Sequence, residues 1–172
     1  PHKPAAGNFM DWKKDAQILC MDGIGAPWVE EFLTGFEQNL SPEQTLIVDE
    51  SHRLGIVSTR IDTPSNLIQT SSLSKAFGIP AGIILGTKAD IAEIKKDPFW
   101  VGGSPANPAY VYACLHAQEA YDERTSMSQE LAKVFTQNAQ YVSLVEDYPA
   151  FSSADAKLFD HLKSHGFLCN QF

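Results

Sequence analysis

A continuous run of β-prone residues, Thr-Leu-Ile-Val at positions 45–48, constrains the fold more than any other feature of the chain. Four such residues without polar alternation are typical of a strand buried on both faces, as in a parallel sheet covered by helices. Similar apolar runs lie at residues 16–21, 66–70 and 82–86, with helix-like segments between or after them. This alternation predicts an α/β architecture with a mostly parallel sheet.

Helices are predicted wherever apolar residues recur every three or four positions. Five segments have this spacing: residues 27–36, 89–96, 110–121, 126–144 and 154–165. We expect the segment 110–121 to be largely buried, and Gly166 to end the last helix. The stretch 98–108 is rich in Gly and Pro, and we expect it to form a loop. A change of pattern near residues 121–126 predicts a domain boundary there.

The charge balance argues against nucleic acid as a partner, because phosphate binding needs clustered Lys and Arg. The chain has 21 acidic and 13 basic residues, a net charge of -8. Its apolar runs are too short to span a bilayer, so we expect no membrane association. Cys20, Cys114 and Cys169 form no CxxC pair, and we expect three reduced, mostly buried thiols in a cytoplasmic protein.

Two of the predicted strands end in polar clusters of a kind that enzymes use. Asp49 and His52 follow the strand at 45–48, and Lys75 follows the strand at 66–70 within a serine-rich turn. Ligands of open α/β sheets bind where strands end at their carboxyl side. A lysine beside an apolar sheet is partly desolvated, which favours its uncharged amine and makes a Schiff base feasible.

Hydroxyl groups and a carboxylate complete the pattern. Ser72 and Ser74 flank the lysine and, with backbone N–H groups, are suited to a phosphate, while Asp49 is suited to a protonated ring nitrogen. Together these residue types describe a site for pyridoxal 5′-phosphate. Each one alone has a simpler interpretation, since strand-end Asp residues cap turns and most lysines near serines are solvated. His161 and His165 have the i, i+4 spacing of a metal site, but no third ligand matches, so no metal is predicted.

Four motifs, in order, resemble those of the fold-type-I pyridoxal phosphate enzymes, and of the α-oxoamine synthases in particular. Residues 46–52 (LIVDESH) resemble the strand-end motif VDEAH, and residues 72–78 (SLSKAFG) resemble the lysine motif T-L-S-K-A-x-G. Residues 21–27 (MDGIGAP) are similar to the segment M-D-G-D-x-A-P. Residues 104–108 (SPANP) stand where the family has S-T-x-x-P-P before a helix.

The resemblance implies a role for each matching residue. Lys75 would bind the cofactor covalently and later move protons at the substrate Cα, and Asp49 would pair with the ring nitrogen. His52 would lie at the phenolic oxygen of the cofactor, and Ser72 would replace a phosphate-binding Thr. Ser104 would stand for the Thr that reaches the phosphate in the neighbouring subunit, which implies a homodimer with shared sites.

The resemblance also implies a fold and a division of the chain. Residues 1–124 would be the C-terminal half of the large cofactor-binding domain, with a mostly parallel sheet in three layers. Residues 125–172 would be the interdomain helix and the first part of the small α+β domain. Family members are about twice as long, so we expect an incomplete chain that does not turn over substrate by itself.

The implied function is an acyltransferase that condenses an amino acid with an acyl-CoA or another acyl thioester. Residues 79–82 (IPAG) lack the Arg that aminotransferases commonly carry shortly after the lysine, which favours the acyltransferase. A class I/II aminotransferase and a non-catalytic fragment or interaction domain stay open as alternatives. Three departures from the family pattern weaken the match: Cys20 in place of Ser, Arg53 in place of a small residue, and the shortened stretch 55–65.

Overall fold

The structure, a computed structural model, describes residues 16–25, 30–31, 40–56, 66–103, 106–138, 143–144 and 148–168. Its strands are β1 (Ile18–Asp22), β2 (Ile24–Gly25), β3 (Glu30–Glu31), β4 (Thr45–Asp49), β5 (Leu67–Ser72), β6 (Gly82–Leu85), β7 (Ser143–Leu144) and β8 (Phe151–Ser152). Its helices are α1 (Leu73–Phe77), α2 (Lys88–Ile94), α3 (Pro98–Gly102), α4 (Pro108–Leu115), α5 (Gln118–Asn138) and α6 (Ala156–Ser164).

The main sheet has four strands in the order β1-β4-β5-β6. The pairs β1–β4 and β4–β5 are parallel, and β5–β6 is antiparallel. All four strands were predicted, and the mixed α/β class with a mostly parallel sheet is confirmed. The strand β5 extends to Ser72, two residues beyond the predicted end, so that it overhangs β4 at the carboxyl edge.

The core lies on one face of this sheet. Leu19, Leu46, Val48 and Leu67 form its buried cluster, and Leu46 and Val48 are fully buried. The other face of β4 is only half-buried at Thr45 and Ile47. The prediction of a strand buried on both faces is therefore wrong for the described residues. An apolar run indicates that the strand favours burial, but it does not show which of its two faces is covered.

Two predictions about loops and helices are corrected between residues 98 and 121. The expected loop contains α3, whose first residue is Pro98 and whose N-cap, Asp97, accepts a hydrogen bond from the backbone N–H of Phe99. A proline at the first helical position needs no N–H partner, so it begins a helix here instead of breaking one. The predicted helix 110–121 is two helices, α4 and α5, with residues 116–117 between them. Its expected burial is also wrong, since Leu115 is 75 % exposed.

The helix α5 runs for 21 residues and begins eight positions earlier than the predicted helix 126–144. Its apolar side chains at Met127, Leu131 and Val134 are exposed, and residues 143–144 form β7 instead of continuing the helix. The helix passes through the predicted boundary between residues 124 and 125 without a break. The division into the two parts 1–124 and 125–172 stays a prediction.

The C-terminal part has α+β character. The strands β7 and β8 pair in antiparallel fashion, and α6 follows them. The Phe135 ring of α5 lies 5.8 Å, centroid to centroid, from the Phe151 ring of β8. Gly166 has φ 85° just after α6, so the predicted helix end is confirmed.

Other predictions meet the described residues only in part. Of the predicted helix 27–36, residues 30–31 form β3, which pairs with β2, and the rest lies outside the described ranges. Cys20 is exposed, against the expectation of a buried thiol, Cys114 is half-buried and both are free; Cys169 lies outside the described residues. Among the helices that the structure describes, none has the length and apolar character needed to cross a bilayer.

Candidate functional site

Three polar side chains lie side by side at the carboxyl edge of the sheet. The register pairs Asp22 of β1 with Asp49 of β4, and Asp49 with Thr70 of β5. In a parallel ladder, paired residues point to the same face, so these three share a face opposite to the buried cluster. Both aspartates are exposed. The sheet therefore presents carboxylates at the edge where the sequence predicted a ligand.

A tight turn after β4 positions His52. The backbone N–H groups of Arg53 and Leu54 both donate to the carbonyl oxygen of Glu50, each at 2.9 Å. Beneath the turn, Nε of Arg53 lies 3.0 Å from Oε2 of Glu50, whose side chain is buried. This ion pair and the two backbone bonds hold the turn while the His52 side chain projects as an exposed group.

Two glycines make room for this arrangement. A Cβ on Gly23, just after β1, would lie 2.8 Å from Cδ of Arg53 and 3.0 Å from Oε2 of Glu50. Gly55 has φ 75°, and a Cβ there would lie 3.2 Å from Cβ of Ala76. The carbonyl oxygen of Gly55 accepts a hydrogen bond from Nε of Arg124 at 3.2 Å, which ties the turn to α5. The turn with His52 is thus packed against both α1 and α5.

The short helix α1 carries Lys75. Its N-cap is Ser72, whose hydroxyl accepts from the backbone N–H of Ser74, and its C-terminal side ends at Gly78 with φ 66°. The N–H of Gly78 bonds to the carbonyl oxygen of Ser74 at 3.1 Å. Glycine adopts this left-handed backbone conformation easily, and the conformation stops the helix after little more than one turn. Lys75 is therefore three residues from the end of β5.

Lys75 and His52 meet. The Nζ atom of Lys75 lies 2.8 Å from Nε2 of His52. A lysine ammonium has only donors, so in that state it donates to an Nε2 that carries no proton. Both side chains are exposed, so the expected desolvation of Lys75 is wrong for the described residues. The structure instead orients the amine by a direct contact with the imidazole.

Ser51 is a site residue that sequence reasoning missed. Its backbone N–H and its hydroxyl both donate to Oδ1 of Asp49, at 2.9 and 2.5 Å, and its hydroxyl oxygen accepts from the N–H of Ser72 at 2.7 Å. Oδ2 of Asp49 takes no hydrogen bond from any described residue. The available signal was that Ser51 stands where the motif VDEAH has Ala.

Of the remaining predicted site residues, the structure describes Ser72 and Ser74 but not Ser104. The hydroxyls of Ser72 and Ser74 lie 2.7 Å apart at the start of α1. Ser104 lies outside the described residues. His165 donates from Nδ1 to the carbonyl oxygen of His161 at 2.9 Å. Within the described ranges, no group of three or more His, Cys, Asp or Glu side chains is arranged to hold a metal.

A cavity of about 440 Å³ lies on the face of the sheet opposite to Asp49. The strand residues Gln69, Ser71 and Ile83 line one side of it, and Cys114 and Tyr121 line another. None of Asp49, His52, Ser72 and Lys75 lines it. The residues that line this cavity are therefore different from the predicted cofactor-binding residues at the sheet edge.

Comparisons with known proteins agree on one group of enzymes. Residues 39–154 match the model of the family described as Aminotransferase class I and II. No curated protein matches the sequence significantly. The matched range includes the turn with His52 and the helix with Lys75, but not β1.

Solved structures share the fold at low sequence identity. The 8-amino-7-oxononanoate synthase from Francisella tularensis has a TM-score of 0.63 and 18 % identity, over 88 % of this chain and 51 % of that one. Histidinol-phosphate aminotransferase from Sinorhizobium meliloti, in complex with pyridoxal 5′-phosphate, has a TM-score of 0.59 and 16 % identity, over 90 % and 48 %. L-threonine-O-3-phosphate decarboxylase from Porphyromonas gingivalis has a TM-score of 0.54 and 16 % identity, over 79 % of this chain and 49 % of that one. The chain spans about half the length of these structures.

Proposed function

The chain belongs to the aminotransferase class I and II family, and on that premise we propose that the whole protein is a pyridoxal 5′-phosphate-dependent transferase acting on amino acids. The observation that carries the proposal is the contact between Nζ of Lys75 and Nε2 of His52 at 2.8 Å. Asp49, which is exposed, ends β4 three residues before His52, at the sheet edge where open α/β folds bind ligands.

The donor set fits this cofactor. The cofactor carries an aldehyde, a ring nitrogen and a phosphate, which call for an amine, a carboxylate and hydrogen-bond donors respectively. The amine of Lys75 is exposed, and Oδ2 of Asp49 takes no hydrogen bond from any described residue. The hydroxyls of Ser72 and Ser74 are adjacent at the start of α1. Each functional group of the cofactor therefore has a matching partner at one sheet edge.

The side chains divide the work among them. Lys75 would hold the cofactor covalently and carry a proton at Nζ to and from the substrate Cα. His52 would orient that amine and accept its proton at Nε2. Oδ2 of Asp49 would accept a hydrogen bond from the ring N–H, and Ser72 and Ser74 would bind the phosphate. The bound cofactor supplies the electron sink that stabilises negative charge at Cα.

We favour acyl transfer from a thioester as the reaction of the whole protein. The support is local: Gly78 caps the helix α1, and residues 79–81, with a buried Ile79, lead directly into β6. Residues 76–87 contain no Lys or Arg, so no cation follows the lysine where aminotransferases commonly carry one. The fold similarity to the Francisella oxoamine synthase is consistent with this choice but does not decide it, because identity is only 18 %.

An aminotransferase is the second candidate, and the family description favours it. The two reactions separate by kinetics. An acyl transferase consumes the amino acid only with an acyl thioester present, whereas an aminotransferase converts the cofactor with an amino acid alone and then needs a keto acid. A third possibility, a non-catalytic interaction domain, would leave Lys75 without any cofactor.

A homodimer belongs to the same proposal. The helix α3 exposes large apolar side chains, with Phe99 at 92 % and Val101 at 71 % exposure. Exposed apolar side chains of this size on one short helix favour a covering surface. Ser104, just beyond α3, would then be the residue that reaches a neighbouring site. A cytoplasmic location rests on the cysteine content alone and stays a prediction.

The test of the function is covalent capture of the cofactor. The full-length protein is mixed with pyridoxal 5′-phosphate, reduced with borohydride and mapped by peptide mass spectrometry, and we expect the adduct on Lys75. Lys75→Ala should abolish the adduct without unfolding the protein, because the side chain is exposed. Lys88→Ala, another exposed lysine at the start of a helix, is the matched control. An adduct that persists in Lys75→Ala, or none in the parent, would overturn the proposal.

A further inference from the structure

The parallel pairing of β4 and β5 ends in an unusual way. Asp49 is the last residue of β4, and the next backbone N–H, that of Glu50, still donates to the carbonyl oxygen of Thr70 at 2.7 Å. In a regular parallel ladder the N–H of Ser72 would then donate to the carbonyl oxygen of Glu50. That oxygen is instead taken by the N–H groups of Arg53 and Leu54 in the turn. The turn that positions His52 thus removes the ladder acceptor of Ser72.

The side chain of Ser51 supplies the missing acceptor. Its Oγ lies 2.7 Å from the backbone nitrogen of Ser72 and accepts that N–H. A hydroxyl has one proton, and the N–H of Ser72 can only donate, so the hydroxyl proton is directed to Oδ1 of Asp49. Both hydrogen bonds therefore have a fixed direction: Ser72 donates to Ser51, and Ser51 donates to Asp49. Ser51 is itself buried, at 7 % exposure.

The Ser51 side chain thus forms a hydrogen-bonded bridge between Asp49 and Ser72. Both ends of this bridge belong to the proposed cofactor site. One end is the carboxylate of Asp49, whose Oδ1 receives both Ser51 bonds while Oδ2 takes none from the described residues. The other end is the N-cap of α1, three residues before Lys75. The bridge links residues 21 positions apart in the sequence. It therefore couples the orientation of the acid to the position of the helix that carries the amine.

We infer that Ser51 is a positioning residue for the cofactor site, which rests on the proposed function. Its hydroxyl holds the Asp49 carboxylate in one rotamer, with Oδ2 directed to the ligand, and holds the start of α1 at a fixed distance from it. With Ala at this position, the N–H of Ser72 has no acceptor on β4 and Oδ1 loses one of its two hydrogen bonds. A pre-organised pair of groups binds its ligand more tightly than a mobile pair.

The test compares Ser51→Ala and Ser51→Cys with Ser153→Ala in the full-length protein. Ala is smaller than Ser, and Cys fills the space with a weak hydrogen-bonding thiol. Ser153 is the matched control because its hydroxyl also accepts a backbone N–H, from Asp155, outside the site. Three readouts are used: hydrogen exchange of the Ser72 amide in the cofactor-free protein, the Kd for pyridoxal 5′-phosphate from absorbance titration, and the urea midpoint.

Both Ser51 variants should exchange the Ser72 amide about tenfold faster and bind the cofactor about tenfold more weakly. The Ser153→Ala protein should match the parent in both. Parental affinity in Ser51→Cys would assign the effect to packing and overturn the role. A lowered urea midpoint in Ser51→Ala with unchanged Kd would also overturn it. If the parent itself takes up no cofactor, the proposed function fails and the positioning role with it, while the exchange data still report separately on the bridge.

Discussion

The amine of Lys75 and the ring nitrogen Nε2 of His52 lie 2.8 Å apart although they are 23 positions apart in the chain. The contact forms because β4 and β5 are neighbours and each is followed at once by a short turn or helix. Neither side chain is buried, so packing alone does not hold them together. The hydrogen bond is therefore the feature that orients the amine.

Replacing His52 by Ala should slow covalent capture of pyridoxal 5′-phosphate about tenfold, because the amine of Lys75 loses its oriented partner. The urea midpoint should stay unchanged, since the imidazole is exposed. Borohydride trapping over time measures the rate. His161→Ala, a change of another exposed histidine on α6, serves as control. Equal trapping rates in the His52 variant and the parent would contradict the orienting role.

Asp49→Asn should weaken cofactor binding about ten- to a hundredfold, because a hydrogen bond to a charged group is worth more than one to a neutral group. The amide oxygen of Asn keeps an acceptor for Ser51, so the bridge to Ser72 is preserved. Asp22→Asn is a close control: Asp22 is directly opposite on β1, exposed, and has no assigned contact with the ligand. Absorbance titration gives both Kd values. Similar losses in the two variants would point to a general charge effect.

Gly78→Ala should lower the free energy of unfolding by about 1 kcal/mol, because φ 66° is unfavourable for a residue with a Cβ. No atom lies within 4 Å of a Cβ built there, so the cost is one of backbone conformation alone. Gly102 at the end of α3 also has open space around a built Cβ but no positive φ. Gly102→Ala should therefore be neutral or stabilising in the same urea titration. Equal effects at both positions would refute the argument from φ.

The phenol of Tyr148 should make the folded chain less stable in alkali. Burial raises the pKa of its phenol above 10.0 in the folded chain. Above the pKa of an unfolded tyrosine, near 10, the unfolded chain releases this proton while the folded chain keeps it, so unfolding becomes more favourable as pH rises. Tyr148→Phe should show a smaller loss of urea midpoint between about pH 9 and 11 than the parent. A parallel decline in both proteins would show that other groups cause it.

The strands and the acids that follow them were predictable because they are local. A short apolar run that ends in a polar cluster contains its own boundary, which is why β4 and Asp49 were found from the sequence. The lysine of α1 was found for the same reason, from residues within one turn of it. Burial was predicted less well, as Leu115 shows, since apolar periodicity does not say which surface of the chain is covered.

Ser51 was missed because its proposed role depends on a contact with Ser72, and nothing near it in the sequence indicates that contact. The N–H of Ser72 needs the Ser51 hydroxyl as acceptor only because the carbonyl oxygen of Glu50 already accepts from the turn. The helix α3 was missed for a different reason. The Gly and Pro content of residues 98–108 predicts a loop, whereas Asp97 caps a helix whose first residue is Pro98.

Gly23, Glu50 and Arg53 limit the order in which this chain can accept substitutions. A side chain at position 23 collides with the ion pair, whose nearest atom to a built Cβ lies at 2.8 Å. Shortening Arg53 first would open the space, but it would leave the Glu50 carboxylate buried without its cation, which is strongly destabilising. Neutralising Glu50 first is no better, because it removes the carboxylate beside the Arg53 guanidinium, whose side chain is only 13 % exposed. We therefore expect the three positions to change together among descendants of this sequence.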